Sequence, residues 1–531
     1  MTASPGAPAQ RRSVNPWVVM AFIAIPVFIG SLDLTVVSAF LPELITELGL
    51  PIDSALDDAS WIVTAYLLAY TVSLTFMGRL SDLLGRRQVY ILCLVVFIVG
   101  SVWVAIATLW PADLLYDLYR RLGERPDPAY VQLQMIIVGR VVEALGAGAL
   151  VPVSLALVGD LFPPEKRPRP LGLVAATDTL GWVLGPVYGG VFIQIMPWQG
   201  LFWMNVPLTL LSLGLVLYGL RDVPQQRVKG RFDYIGTLLI VGALSGLSIG
   251  LGANVDISGT SIQQLSPLPD HAGPVLLAAV VLFIGFIFVE SRVRDPLINL
   301  NMFRRRNLSA ASVVNLFVGY CLFVGLVNVP LLVNIRQESA ATLTEAALQV
   351  GLLLSTLTLP MAIAAIPGGW LAERIGNRNT VVGGLALSVV GFIWVFFTWE
   401  LTTPDVLIAV QNALIGVGIG LTFSPVSAAI INSAYDEERG VASALVIILR
   451  LIGMTVSVSS LSSLAFYRVN ALVDAAQQAA GSAFDPSQFQ TVYVDAAVRV
   501  LGEMGLIGAV LSLIAIVPAL MLSRDAHPPE R

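Results

Sequence analysis

Apolar runs of about 20 residues recur along the whole chain, and no other feature constrains its fold as tightly. As a helix, a run of that length crosses the roughly 30 Å hydrocarbon layer of a bilayer. Lipid offers no partners to bare N–H and C=O groups, so each run must satisfy its backbone internally. A transmembrane β-barrel would show short alternating segments instead. The charge content agrees: 56% of the 531 residues are hydrophobic and 12% charged, against about 25% charged in a soluble globular domain. The sequence reads as an all-α integral membrane protein.

Fourteen spans are expected, at 17–39, 59–78, 88–108, 132–158, 171–194, 200–220, 233–252, 273–290, 308–334, 346–371, 380–399, 405–431, 441–466 and 500–522. The first follows Arg11 and Arg12 and is too long for the apolar core of a signal peptide, so it is expected to remain as a span. An even count puts both termini on one side. With the N-terminus inside, the tails and inner loops carry 22 Lys and Arg and the outer loops six, while Arg140 and Arg450 fall within spans. The positive-inside rule then places both termini in the cytoplasm. The expected location is the cell (inner or plasma) membrane. Two outer connectors, 109–131 and 467–499, are longer than the rest.

One loop occurs twice. Gly78-Arg-Leu80-Ser-Asp82-Leu-Leu-Gly85-Arg86-Arg87 closes the second span, and Gly369-Trp-Leu371-Ala-Glu373-Arg-Ile-Gly376-Asn-Arg378 closes the tenth, 291 residues later. Both read Gly-x-Leu-x-acid-x-x-Gly-x-Arg with the same topology, so the chain should consist of two halves related by an axis along the membrane normal. Two halves rocking about a central site is the geometry of alternating access. Gly78 and Gly369 would let helices approach closely. A carboxylate at Asp82, near a helix C-terminus, is unfavourable unless it is paired or faces the N-terminus of another helix. With Arg86 and Arg87 beside it, the loop is expected to act as an inner-face latch; an ordinary charged turn is the plainer alternative.

With these motifs the chain resembles the major facilitator superfamily, and in particular its fourteen-span drug:proton antiporter branch. The loop at 78–87 is similar to the superfamily motif. Leu32-Asp33-Leu-Thr35-Val-Val-Ser-Ala-Phe-Leu-Pro42 resembles the first-span motif of that branch. Arg140-Val-Val-Glu143-Ala-Leu-Gly146-Ala-Gly148 resembles its fourth-span arginine motif, with Glu143-Ala144 where Gln-Gly is usual. Gly181-Trp-Val-Leu-Gly185-Pro186-Val-Tyr-Gly189-Gly190 is similar to the fifth-span antiporter motif. Asp295-Pro296-Leu-Ile-Asn-Leu-Asn-Met-Phe303, Arg439-Gly440-Val-Ala-Ser443 and Arg450-Leu-Ile-Gly453 resemble later segments of the same branch. The resemblance implies a major facilitator fold of two six-helix bundles with two additional transmembrane helices between them. The expected division is a cytoplasmic N-tail at 1–16, bundles at 17–220 and 308–522, a two-helix insert with its linkers at 221–307, and a cytoplasmic C-tail at 523–531.

Charge within hydrocarbon costs about 2.5–3.5 kcal/mol on insertion scales, so each intramembrane charge is a candidate for function. Asp33 lies mid-span with no basic residue within one turn. It is read as a proton-coupling or substrate-binding group, or as a carboxylate paired with an arginine on another helix. Arg140 and Glu143 are three apart and share a helix face; either they neutralise each other, or Arg140 tunes an acid elsewhere while Glu143 titrates. Asp178 is a second titrating group or a packing contact, and Arg450 faces the interior to meet an anionic group or to bond backbone. Gly181, Gly185 and Gly189 line one face at a spacing suited to close helix contact, with Gly190 beside them and Pro186 removing a backbone donor; this is expected to be a hinge.

Other classes find no support. The sequence holds neither a phosphate-binding loop nor a clustered nucleophile. Cys93 and Cys321 sit in apolar runs as small buried hydrophobes. His271 and His527 lie outside the spans, so no intramembrane histidine can relay protons. The expectation is a non-enzymatic monomer that needs no cofactor or metal and binds no nucleic acid. It should export small amphipathic or hydrophobic compounds, as in multidrug efflux, in exchange for protons. The alternative is a lipid exporter or flippase of the same fold, working with an outer-side protein partner through 109–131 and 467–499.

Overall fold

The computed structural model describes residues 15–37, 40–50, 52–223, 227–228, 230–251, 271–336, 343–480 and 489–523. Most of the expected tails 1–16 and 523–531 therefore lies outside the described residues, as do His527 and residues 481–488 of the second long connector.

The described residues form seventeen α-helices with short 3-10 turns between some of them. The first half contains α1 (Pro16–Val36), α2 (Leu41–Glu47), α3 (Ile52–Leu84), α4 (Arg86–Ile106), α5 (Trp110–Arg121), α6 (Pro128–Ala147), α7 (Leu150–Leu161), α8 (Pro168–Phe192) and α9 (Trp198–Gly219). A pair follows, α10 (Tyr234–Gly250) and α11 (Ala272–Glu290). The second half contains α12 (Arg306–Arg336), α13 (Leu343–Ile375), α14 (Asn377–Thr398), α15 (Asp405–Asn432), α16 (Arg439–Ala480) and α17 (Phe489–Leu520). Each expected span falls on a helix, with α6 and α7 together making the fourth. Twelve of these are long and apolar enough to cross a membrane. The remaining two positions are held by α10, a shorter apolar helix of 17 residues, and by α8, which is rich in glycine and proline.

In the first half α1 lies on α8 and α9, α4 on α6 and α9, and α3 on α6. In the second half α15 lies on α13 and α14, while α17 and α16 flank α12. The pair α10 and α11 pack on each other, and α10 lies along α3. The halves meet where α8 crosses α13 and where α3 crosses α16. Cys93 and Cys321 are free and buried.

The long connectors are not the loops that hydropathy suggests. Within 109–131 lies α5, whose Pro111, Ala112, Leu115, Tyr116 and Tyr119 pack on a core made by the first half alone. Its other face exposes Leu114 and Leu118, continued by Leu122 just past its end. In 467–480 and 489–499 the spanning helices simply continue. The 42 residues of α16 extend about 63 Å at 1.5 Å per residue, twice the hydrocarbon thickness. Arg468 of this extension bonds Glu503 of α17 through Nε at 2.8 Å and Nη2 at 3.1 Å.

Candidate functional site

Asp33 of α1 and the Arg140–Glu143 pair of α6 come together in the first half. Arg140 Nη1 donates to Asp33 Oδ2 at 2.7 Å and to Glu143 Oε2 at 2.6 Å. Its Nη2 reaches the Asp33 carbonyl at 3.2 Å. All three side chains are fully buried. Asn205 of α9 donates to Asp33 Oδ1 at 2.8 Å and lies 3.4 Å from Glu143 Oε1, which also accepts from Ser101 of α4. The Arg140 guanidinium stacks 3.9 Å above the centre of the Tyr66 ring. Asp33 is thus partnered by an arginine 107 residues away, and the Arg140–Glu143 pair is part of a three-charge cluster. The cluster holds two carboxylates for one guanidinium, so it carries one negative charge when both are ionised and none after taking up one proton.

Asp178 and Arg450 are a looser couple contributed by opposite halves. Asp178 is buried and accepts from Ser31 Oγ at 2.6 Å. Arg450 is buried and stacks 3.9 Å over the Phe423 ring. Among the described residues no ion pair closes between them. The hinge glycines divide. A Cβ on Gly181 would lie 2.7 Å from Ser31 Cβ, and one on Gly185 would lie 2.6 Å from the Leu32 carbonyl, so both positions press on α1. Gly190 has open space around it, and Pro186 faces outward from an unbroken helix. Gly189 is buried. Tight contacts with α1 are seen at Gly181 and Gly185.

The face that carries the Lys/Arg-rich loops, the basic face, is closed by contacts between the halves. Asp82 Oδ1 pairs with Arg86 Nη1 at 2.6 Å and accepts from Gly440 N at 3.0 Å, at the N-terminus of α16. Asp160 bridges Arg86 Nε at 3.2 Å and Arg439 Nη1 at 3.1 Å. The second loop repeats the arrangement against the first half: Glu373 pairs with Arg169 Nε at 2.6 Å beside the N-terminus of α8. Carboxylates at helix N-termini meet orphan N–H groups and the positive end of the dipole. Gly85 (φ 100°) and Gly376 (φ 88°) adopt the left-handed conformation that turns each loop into its next helix. The repeat is incomplete, because Asn377 stands where Arg86 does, and Arg378 is exposed and joins no ion pair among the described residues. Arg167 adds a further cross-contact to Asn432 Oδ1 at 2.7 Å. Burial, aided by the neighbouring Arg439, pushes its pKa down to about 10, so it stays charged at neutral pH.

Asp82 serves two partners, and two substitutions separate them. Asp82→Asn keeps an oxygen for Gly440 N and loses the charge opposite Arg86; Asp82→Ala loses both and should weaken closure more, by about 1–3 kcal/mol. Thiol-reagent access to a cysteine placed in the basic-face seam should rise in the order wild type, Asn, Ala. Equal access in all three would show that Asp82 does not hold the seam.

Sequence reasoning missed Asn205, Ser101, Asp160, Arg167 and Arg169. Ser101 and Asn205 are uncharged and give no cost signal in hydrocarbon. Asp160, Arg167 and Arg169 look like ordinary loop charges until the other half is in place.

The family model described as Major Facilitator Superfamily matches residues 23–458 and, in a second match, 327–531. The chain belongs to the major facilitator superfamily. Among curated proteins, a triacylglyceride transporter of Mycolicibacterium smegmatis is 32% identical over 94% of this chain and 86% of its own. A triacylglyceride transporter of Mycobacterium tuberculosis is 30% identical over 96% of this chain and 95% of its own. Among solved structures, the human organic anion transporter MFSD10 superposes with a TM-score of 0.58 at 13% identity, covering 94% of this chain and 99% of its own. The proton:xylose symporter XylE superposes with a TM-score of 0.56 at 15% identity, covering 94% of this chain and 95% of its own. At such identities these structures speak for the fold alone. This superfamily member is a multi-pass membrane transporter.

Proposed function

We propose that this transporter exports a strongly apolar lipid of the triacylglyceride class, driven by protons through alternating access. The observation that carries the lipid reading is the likeness to triacylglyceride transporters at 30–32% identity over nearly the whole chain. It favours the lipid alternative over multidrug efflux.

In this reading the basic face is cytoplasmic, as the charge bias implies, and the described state is the one closed to the cytoplasm. The moving units are 17–220 and 308–522, with 221–307 as the insert between them. A proton taken up by the Asp33–Arg140–Glu143 cluster removes its surplus charge. Asp178 and Arg450 sit on opposite halves, so their separation changes as the halves rock and their attraction couples closure to charge. One charge moved across 100 mV is worth about 2.3 kcal/mol, enough to drive modest accumulation. The long α16–α17 hairpin would hand lipid to an outer-side acceptor.

The test is reconstitution in proteoliposomes with an imposed pH gradient, comparing a fluorescent triacylglyceride with a cationic dye. The glyceride should move in a gradient-dependent manner, and Asp33→Asn should lower that rate at least tenfold while inserting normally. Dye movement without glyceride movement would return the function to multidrug efflux. Replacing 467–499 by a short turn should cut transfer to an outer acceptor at least tenfold. Unchanged transfer would remove the hairpin from the pathway.

A further inference from the structure

A groove of about 490 Å³ opens beside the seam between the halves, lined by Trp17, Arg169, Leu173, Ile366, Pro367 and Trp370. Its polarity is graded along the membrane normal. On α8, Arg169 lies in the first turn and Leu173 one turn deeper. On α13, which runs towards the basic face, Arg374 lies in the last turn, Trp370 a turn deeper and Ile366 a turn beyond that. The Arg374 guanidinium stacks 3.7 Å from the Trp370 ring centre. Arg169 gives only its Nε to Glu373, and its side chain remains 46% exposed. Trp17 and Trp370 are themselves 47% and 37% exposed, as suits tryptophans at a membrane interface. Guanidinium groups thus crown a slot whose floor is apolar.

We propose that this groove binds an anionic phospholipid of the surrounding bilayer, with its phosphate on Arg169 and Arg374 and an acyl chain along Leu173, Ile366 and Pro367. Charge decides the class. Two guanidinium groups and nearby Lys166 outweigh the carboxylates of Glu373 and Glu165, and guanidinium pairs well with phosphate. A neutral glyceride would offer the crown only ester carbonyls and no charge. The wall residues come from both halves, which meet just beside the groove where a Cβ on Gly369 would lie 2.5 Å from the Pro168 carbonyl. A lipid seated there bridges α8 and α13 only while the basic face is closed, so it favours that state. This site stands apart from the exported cargo and does not depend on its identity.

Tryptophan quenching in nanodiscs reports the site directly, because two tryptophans line it. The full-length protein is placed in unlabelled phosphatidylcholine containing a small fraction of brominated phosphatidylglycerol, brominated phosphatidylcholine or brominated triacylglyceride. Attraction of about 1 kcal/mol per arginine near a charged lipid predicts a roughly tenfold or larger preference for phosphatidylglycerol. The excess quenching should shrink in Trp370→Phe and vanish in the double variant R169Q/R374Q. Because Arg169 also holds Glu373, Glu373→Gln serves as the second variant; it frees Arg169 and should keep or raise the preference. Leu173→Phe, which narrows the groove without adding a reporter, should reduce it. Equal quenching by phosphatidylglycerol and phosphatidylcholine, or an excess that survives R169Q/R374Q, overturns the proposal. So does stronger quenching by the triacylglyceride, which would make the groove a cargo site.

Discussion

Arg140→Met should abolish gradient-driven transport and lower the stability of the folded protein by about 3–5 kcal/mol, the range for removing one partner from a buried ion pair. The size follows from geometry. Arg140 is fully buried and alone supplies positive charge to Asp33 and Glu143, at 2.7 and 2.6 Å. Without it, two carboxylates remain in a site that water cannot reach, with only Asn205 and Ser101 as donors. Thermal unfolding in detergent checks the stability, and proteoliposome transport checks the coupling. The triple variant Asp33→Asn, Glu143→Gln, Arg140→Met removes every charge at nearly constant volume, and a neutral replacement of a buried charge cluster is often tolerated. It should regain most of the lost stability and none of the coupled transport. If Arg140→Met alone unfolds like wild type, the cluster is not ionised and the coupling scheme fails with it.

That cluster marks the border of what the sequence reveals. Asp33, Arg140 and Glu143 stand out singly, because charge is rare in hydrocarbon. That they meet follows from α1 and α6 packing within one half, and no local pattern encodes it. Asn205 and Ser101 complete the site without a charge to betray them. The spans were legible because about 20 apolar residues in lipid have one economical conformation. The extension of α16 was missed for a different reason. Residues 467–480 are rich in Ala, with two adjacent Gln, and contain no Gly or Pro, a good helix by propensity. Hydropathy falls at the membrane boundary, however, and the expected span was ended there. The duplicated loop was legible as a repeat, yet its partners, Gly440 for one copy and Arg169 for the other, lie in the opposite half.

The closed seam gives the second large effect. Gly440→Val should drive the transporter out of the state closed on its basic face and reduce turnover at least tenfold. A Cβ at Gly78 would lie 2.5 Å from the Gly440 carbonyl and 2.9 Å from Ala444 Cβ, and one at Gly440 would meet the Gly78 carbonyl, the Arg86 guanidinium at 2.6 Å and Asp82 Oδ1 at 2.8 Å. The obstacle is backbone, held by Gly440 N donating to Asp82, so no side chain can swing aside to make room. Overpacking of about 1–3 kcal/mol amounts to roughly a 5- to 150-fold change in the balance of two states. The penalty exists only while α3 and α16 touch, so it is relieved by opening and leaves each half folded. Spin labels at exposed Leu84 and Arg378, one in each half, read the seam directly, and the buried Cys93 and Cys321 give little background. The expected result is a longer interlabel distance in Gly440→Val than in the parent, with unchanged thermal stability. Gly383→Val, at a glycine with open space around it, should leave the distance distribution as it was. A wild-type distance in Gly440→Val would mean that the seam yields by local backbone shift. Gly78 and Gly440 would then be packing residues, and the duplicated loop would no longer account for how the halves lock.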